Sequence, residues 1–193
     1  MRSVTLPTPM TRDVDDWPDR YKVWFYKAGL SRADVGRLGA YYHKDMDRAV
    51  VPVLNAAGAV CFWQARSLDK SVPKYLAPDM GLAGKGAVIP KFKPAGTSNS
   101  ITLTEDLLSA YKVGKVTEAW CMLGTAPSQH LIADLLRRKA KVNVWLDPDA
   151  AGQRASKIVV NQLRAYGLEV LWIKSTMDPK MHSLYWIASC LGS

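Results

Sequence analysis

Between residue 99 and the end of the chain, apolar runs of strand length alternate with stretches of helical periodicity. No other feature of the sequence constrains the fold as much. "SITLT" leads into "DLLSAYKVG", a helix closed near Gly114, and "VTEAWCML" is a strand ending at Gly124. "SQHLIADLLRRKA" follows as a helix with Ser128 as its N-cap, and "KVNVWL" is a strand that stops at Asp147. A longer helix, "AGQRASKIVVNQLRAYG", leads to the strand "LEVLWI", and "DPKMHSLYWIASCL" carries a final helix. Parallel neighbours in a sheet need a crossover, and a helical crossover covers the sheet face. The pattern therefore predicts an α/β fold: a mainly parallel sheet flanked by helices.

The part before residue 99 reads differently. Residues 1–19, with two prolines and several acids in the first sixteen, are expected to form a flexible arm. Residues 20–98 are expected to form a smaller α+β sub-domain. It opens with a short helix over 20–28 and a second one capped by Ser31. Apolar runs at 49–54 and 59–65 flank the turn "NAAG" and predict a hairpin. "GAVIPKF" predicts a further short strand. The polar connector "KPAGTSNS" puts the boundary near 96–99, so that residues 99–193 form the second domain.

Charge narrows the class of partner. The chain carries a formal net charge of +9, which suits an anionic partner such as nucleic acid and says nothing about fold. Roughly half of that excess lies within residues 48–93, where Arg48, Arg66, Lys70, Lys74, Lys85, Lys91 and Lys93 face only Asp69 and Asp79. Cys61, Cys121 and Cys190 stand far apart, as do His43, His130 and His182, which argues against a zinc site or a disulfide framework. No apolar run is long enough to span a membrane, and no secretory leader pattern opens the chain. The expected location is the cytoplasm, or a host cytoplasm if the protein is phage-encoded. The P-loop pattern and the dinucleotide pattern G-x-G-x-x-G are both missing from the sequence.

Ligands of open α/β sheets bind beyond the carboxyl ends of the strands. Glu105, Asp147 and Asp149 map to such ends, and Asp178 follows the last strand after a short link. Carboxylates gathered there repel one another, and a hard divalent cation relieves that repulsion through oxygen ligands. Pro148 restrains the turn between Asp147 and Asp149, Gly152 allows close backbone approach, and a helix N-terminus nearby favours phosphate. A blander reading stands beside this one. "DPDAAG" is also the pattern of a turn and helix cap, Asp106 suits the first turn of a helix, and Asp178 before Pro179 suits an N-cap.

"ITLTEDLLSAYKVG", "VNVWLDPDAAGQRAS" and "MDPK", in that order, resemble the motifs of a Toprim domain. They are especially similar to the catalytic primase part of phage primase–helicases and stand-alone phage primases. "VVPVLNAAGAVCFWQARSLDKSVPKYLAP" is similar to the N-terminal sub-domain of those primases, so the resemblance spans roughly residues 20–190. It implies a catalytic glutamate at Glu105, a D-x-D pair at Asp147 and Asp149, and a later acid at Asp178. It implies divalent metals, Mg²⁺ with Mn²⁺ as the alternative, held by Glu105, Asp106, Asp147, Asp149 and Asp178. Two such ions would orient a 3′ hydroxyl for attack on an incoming ribonucleotide. The family's glycine after the glutamate is Asp106 here, its aspartate four residues beyond the glutamate is Ser109, and its lysine before the last acid is Met177.

The same resemblance implies a single-stranded DNA template and ribonucleoside triphosphates as partners. Zinc-binding and helicase functions are expected from a separate replicative helicase or zinc-binding protein. Positive charge holds a template backbone without reading its sequence, and aromatic rings stack on bases. The candidates for these contacts are Arg66, Lys70, Lys74, Tyr75, Lys91, Lys93, Arg154 and Lys157. An ion pair competes with this role at Arg66, core packing at Tyr75, and plain solvation at Lys70. Arg137, Arg138, Lys139 and Lys141 read as solvated surface at the far end of the sheet. Two other functions remain open: a small Toprim nuclease, and a non-catalytic replication accessory that binds single strands.

Overall fold

The structure is a computed structural model that describes residues 4–81, 84–94 and 99–192. It falls into two compact units, Met1–Gly84 and Lys85–Ser193.

The first unit is built on a four-stranded antiparallel sheet in the order β1-β2-β3-β4, with β1 at Tyr41–His43, β2 at Arg48–Leu54, β3 at Val60–Arg66 and β4 at Tyr75–Leu76. The expected hairpin is β2–β3, in which Val50 pairs with Ala65 and Val53 with Phe62. Two helices accompany the sheet, α1 (Asp19–Lys27) and α2 (Arg32–Arg37). Ser31 starts α2 through a reciprocal cap: its hydroxyl accepts from Asp34 N–H, and the Asp34 carboxylate accepts from Ser31 N–H. The core of this unit is strongly aromatic, with Trp17, Tyr21, Phe25, Tyr41 and Phe62 all buried.

The expected flexible arm, over its described residues 4–19, makes specific contacts. Its described residues pack on the sheet: Val4 N–H donates to the Val60 carbonyl, Thr11 bridges Tyr42, and Trp17 is buried with its indole N–H on the Thr11 carbonyl. Val14 and Trp17 supply the apolar burial, and the Tyr41 hydroxyl donates to the Pro7 carbonyl. Around the prolines that suggested a loose segment, the carbonyls of Thr5, Pro7 and Thr11 find donors.

The second unit carries a five-stranded sheet in the order β5-β7-β6-β8-β9. The strands are β5 (Lys91–Phe92), β6 (Ser100–Thr104), β7 (Glu118–Cys121), β8 (Lys141–Val144) and β9 (Val170–Trp172). All pairs are parallel except β5 with β7. The helices are α3 (Leu107–Val113), α4 (Gln129–Arg138), α5 (Ala150–Ala165) and α6 (Leu184–Leu191). Strand alternation divides the core into two layers. Ile101, Leu103, Val142 and Val144 pack with Leu131, Leu135, Val159 and Leu163 of α4 and α5, while Ala119, Trp145 and Ile173 pack with Val113 of α3 and Ile187 of α6. The mainly parallel sheet flanked by helices is therefore present, beside the smaller antiparallel one.

The division between the units differs from the expected one. Most of the span 96–99 lies outside the described residues, and the units meet at 84/85. The physical reason is β5. Lys91 and Phe92 hydrogen-bond along Trp120 and Ala119 of β7, so this basic segment forms the antiparallel edge of the larger sheet.

Candidate metal centre

Three strands deliver the acids to one rim. Glu105 is the residue after β6, Asp147 lies three residues beyond β8, and Asp178 follows β9 on the loop that ends in a 3-10 turn at Pro179–Met181. Parallel strands set side by side have their carboxyl ends together, which is why positions far apart in sequence meet here. The closest link is direct: Asp147 N–H donates to Glu105 Oε1 at 3.1 Å. Gly152 makes it possible, because a Cβ there would lie 2.2 Å from the Asp147 carbonyl oxygen and 2.9 Å from Glu105 Oε1.

Two of the acids serve as helix caps, as the blander reading of these motifs expects. Asp149 starts α5, its Oδ1 accepting from Gly152 N–H at 2.7 Å. Asp106 starts α3, its Oδ1 accepting from Leu108 N–H and Ser109 N–H. Its Oδ2 accepts from the Ser109 hydroxyl at 2.7 Å and from Lys180 Nζ at 3.0 Å. Lys180 also donates to Asp178 Oδ2 at 2.8 Å. Asp178 does not cap its turn with its side chain.

The electrostatics follow from this crowding. Burial pushes the Glu105 carboxyl above its usual range, the field of Asp149, Asp106 and Asp178 adds to it, and the Asp147 N–H opposes it. The Asp147 carboxyl is pushed up to about 7, first by burial, with Asp106, Asp178 and Glu105 adding and Lys180 opposing. Burial acts the same way on Asp106, yet Lys180 and the Ser109 donors outweigh it and hold that carboxyl below its usual value. Lys180 stays protonated: burial disfavours its charge, but Asp106, Asp178 and Asp147 surround it.

A divalent cation suits the donors on this rim. They are hard carboxylate oxygens, and Asp147 Oδ1 is buried without a hydrogen-bond partner. The carboxylates do not yet form a cage: among the described residues no group of three or more His, Cys, Asp or Glu stands ready to hold an ion. Asp106 and Asp178 turn to Lys180, and Asp149 turns to its own helix. The sequence reading missed Lys180. Its signal was the place of a cation two residues after Asp178 in "MDPK".

The basic candidates divide between the units. In the first, Arg66 pairs with Tyr75 across β3 and β4, and its guanidinium lies 5.0 Å from the Tyr75 ring and 5.8 Å from the Trp24 ring. Lys74 Nζ lies 5.8 Å from the same Tyr75 ring, and Tyr75 is 38% exposed. Lys70 is exposed between β3 and β4. In the second unit, Arg154 and Lys157 are exposed on α5. Lys91 and Lys93 do not reach the acidic rim. They line a cavity of about 380 Å³ with Trp120, Glu118, Asp134, Arg137 and Arg138. That cavity lies along β5, β7 and α4, and none of Glu105, Asp106, Asp147, Asp149 and Asp178 lines it. There Lys91 pairs with Asp134 and lies 4.1 Å from the Trp120 ring, and Arg138 pairs with Glu118. In the run at 137–141, Arg137 joins Asp134 and Lys141 joins Glu169.

Residues 104–182 match a family model described as Toprim-like. The chain is 31% identical over 175 residues to the DNA primase of Clostridium acetobutylicum, covering 83% of this chain and 29% of that protein. A DNA primase of Neisseria meningitidis is 27% identical over 154 residues, with 74% and 26% covered. The chain thus spans less than a third of the length of these relatives. Among solved structures, the E. coli primase catalytic core superposes with a TM-score of 0.63 at 18% identity, over 84% of this chain and 68% of that one. The primase fragment of the bacteriophage T7 primase-helicase gives 0.57 at 14% identity, over 86% and 71%. At these identities the likeness establishes the shared fold.

Proposed function

We propose, from the premise that this chain carries a Toprim-like domain and is a relative of DNA primases, that it makes short RNA primers on single-stranded DNA by nucleotidyl transfer. The observation that supports this best is the buried, unpartnered Asp147 Oδ1 beside Glu105, on a rim of like charges at the carboxyl ends of parallel strands.

Glu105, Asp147 and Asp149 are the catalytic candidates, with Asp178 beside them; Glu105 and Asp147 would hold the divalent ion, Mg²⁺ or Mn²⁺. When bound, the ion polarises a phosphoryl oxygen and offsets charge developing during transfer. The chain itself supplies placement. The Glu105–Asp147 hydrogen bond fixes the two strand ends, and Gly152 leaves the backbone open at that point. Asp149 orders the first turn of α5, whose amino end favours the phosphates of a ribonucleoside triphosphate. A 3′ hydroxyl oxygen bonds to the α-phosphorus, pyrophosphate leaves, and the hydroxyl proton passes to solvent.

In the first unit, Arg66, Lys74 and Tyr75 form a cation–aromatic surface suited to a single strand: charge for phosphate and a ring for a base. Lys70 lies in the same connection, and Arg154 and Lys157 offer exposed charge on α5. Site selection and strand opening are assigned to a separate zinc-binding protein or replicative helicase. Among the described residues no helix is long and apolar enough to cross a membrane. Primer synthesis places the protein in the cytoplasm, that of a host if it is phage-encoded.

The test is a priming assay with the purified chain, single-stranded DNA, ribonucleotides and Mg²⁺ or Mn²⁺, run with and without the helicase. Oligoribonucleotides that disappear in Glu105→Gln and Asp147→Asn support the proposal. Tight DNA binding without product under all these conditions overturns it in favour of a non-catalytic accessory, and metal-dependent cleavage without incorporation favours a nuclease.

A further inference from the structure

Lys180 is not an ordinary surface lysine. Its side chain is only 15% exposed, and its ammonium joins Asp106 at 3.0 Å and Asp178 at 2.8 Å. The turn that carries it is fixed at both ends: Pro179 is buried at its start, and Met181 N–H donates back to the Asp178 carbonyl at 2.9 Å. That turn packs on α3, the helix that Asp106 caps.

The bonding around Asp106 is complete. Its two oxygens accept from two backbone N–H groups, the Ser109 hydroxyl and Lys180. A divalent ion at Asp106 would have to break a helix cap or displace a buried ammonium. An ion between Asp106 and Asp178 would also stand beside a fixed positive charge. Asp147 differs, since its Oδ1 is buried and has no donor. The rim therefore divides into a half already neutralised by protein and a half still open.

We propose that Lys180 is a tethered cation standing where the acids would otherwise take a second divalent ion, so that this site takes a single one, at Glu105 and Asp147. The proposal rests on the reading of the rim as a metal site and departs from the two ions that the sequence resemblance implies. Lys180 acts as a positioning residue: it holds Asp106 and Asp178 together and supplies one unit of charge that does not depend on metal concentration.

The test counts ions rather than turnover. Mn²⁺ is titrated into the full chain at equilibrium, and free Mn²⁺ is followed by its electron paramagnetic resonance signal. The wild type is expected to bind one Mn²⁺ per chain. Lys180→Met, which keeps the length of the stem, and Lys180→Ala are expected to bind two, while Lys180→Arg stays at one. Folding of each variant is checked by circular dichroism, and the wild-type count stands even if a variant does not fold. Two ions in the wild type, or one in folded Lys180→Met, overturns the role of Lys180 and leaves the metal site intact. No bound Mn²⁺ in any protein overturns the metal reading itself, and the proposal with it.

Discussion

The backbone N–H of Asp147 donates to Glu105 Oε1 at 3.1 Å, which ties the end of β8 to the end of β6 across 42 positions of sequence. This bond uses the carboxyl oxygen as an acceptor and does not require its charge. Glu105→Gln is therefore expected to fold with an unchanged circular dichroism spectrum. Its priming should fall by about 100-fold or more, since loss of even an outer-shell partner of a metal ligand costs about 10–100-fold and Glu105 would hold the ion itself. A variant that folds and still primes at the wild-type rate would remove Glu105 from the catalytic set.

Gly152 and Gly36 should answer the same substitution in opposite ways. A Cβ at Gly152 meets the Asp147 carbonyl oxygen at 2.2 Å, so Gly152→Ala must push the rim apart and should cost about 1–3 kcal/mol. Gly36 lies exposed in α2 with nothing within 4 Å of its Cβ position, so Gly36→Ala should stabilise by about 0.4–1 kcal/mol. Denaturant melts of the two variants check both signs.

Asp147 carries a stability penalty in the metal-free protein, because its buried Oδ1 has no donor and its neighbours are like-charged. Asp147→Asn in chelator at pH 8 is expected to raise Tm by about 2–4 °C, which corresponds to ~1 kcal/mol in a chain of this size. The same variant should lose the stabilisation that Mg²⁺ gives the wild type. Calorimetry with and without Mg²⁺ decides it.

His182 gives a pH dependence of its own. It is buried, stacks on Trp186 at 3.8 Å between centroids, and shares a 2.6 Å hydrogen bond with Ser175. Burial holds its pKa below the usual value, against the opposing Met177 backbone hydrogen bond. The unfolded chain therefore takes up this proton first as pH falls. The contribution of His182 is fully present above about pH 6.5 and is lost below it, with a slope of at most about 1.4 kcal/mol per pH unit. His182→Gln should flatten the stability profile across that window, as measured by urea melts between pH 7.5 and 5.

Single-strand binding should separate the two basic clusters. Lys74→Ala should weaken binding across sequences and reduce the log–log salt slope by about 0.7, as expected for one phosphate contact on a single strand. Lys91 is engaged with Asp134 and Trp120, so Lys91→Ala should leave the slope unchanged. Fluorescence anisotropy over a salt series reads both variants.

The sequence by itself determined the alternation of β6 through α6, because periodicity, N-caps such as Ser128 and Asp149, and the closing Gly114 are local signals. It also marked Glu105, Asp147, Asp149 and Asp178 as candidates, since each lies just past an apolar run and matches a Toprim motif. Tertiary structure decided what the local pattern leaves open. Strand pairing moved Lys91 and Phe92 into the larger sheet, and aromatic packing around Trp17 turned an expected loose arm into part of a core. The sheet also brought Lys180 against Asp106 from 74 positions away, and so decided which acids are already neutralised. Such pairings depend on which strand ends lie side by side, and no single stretch of chain carries that information.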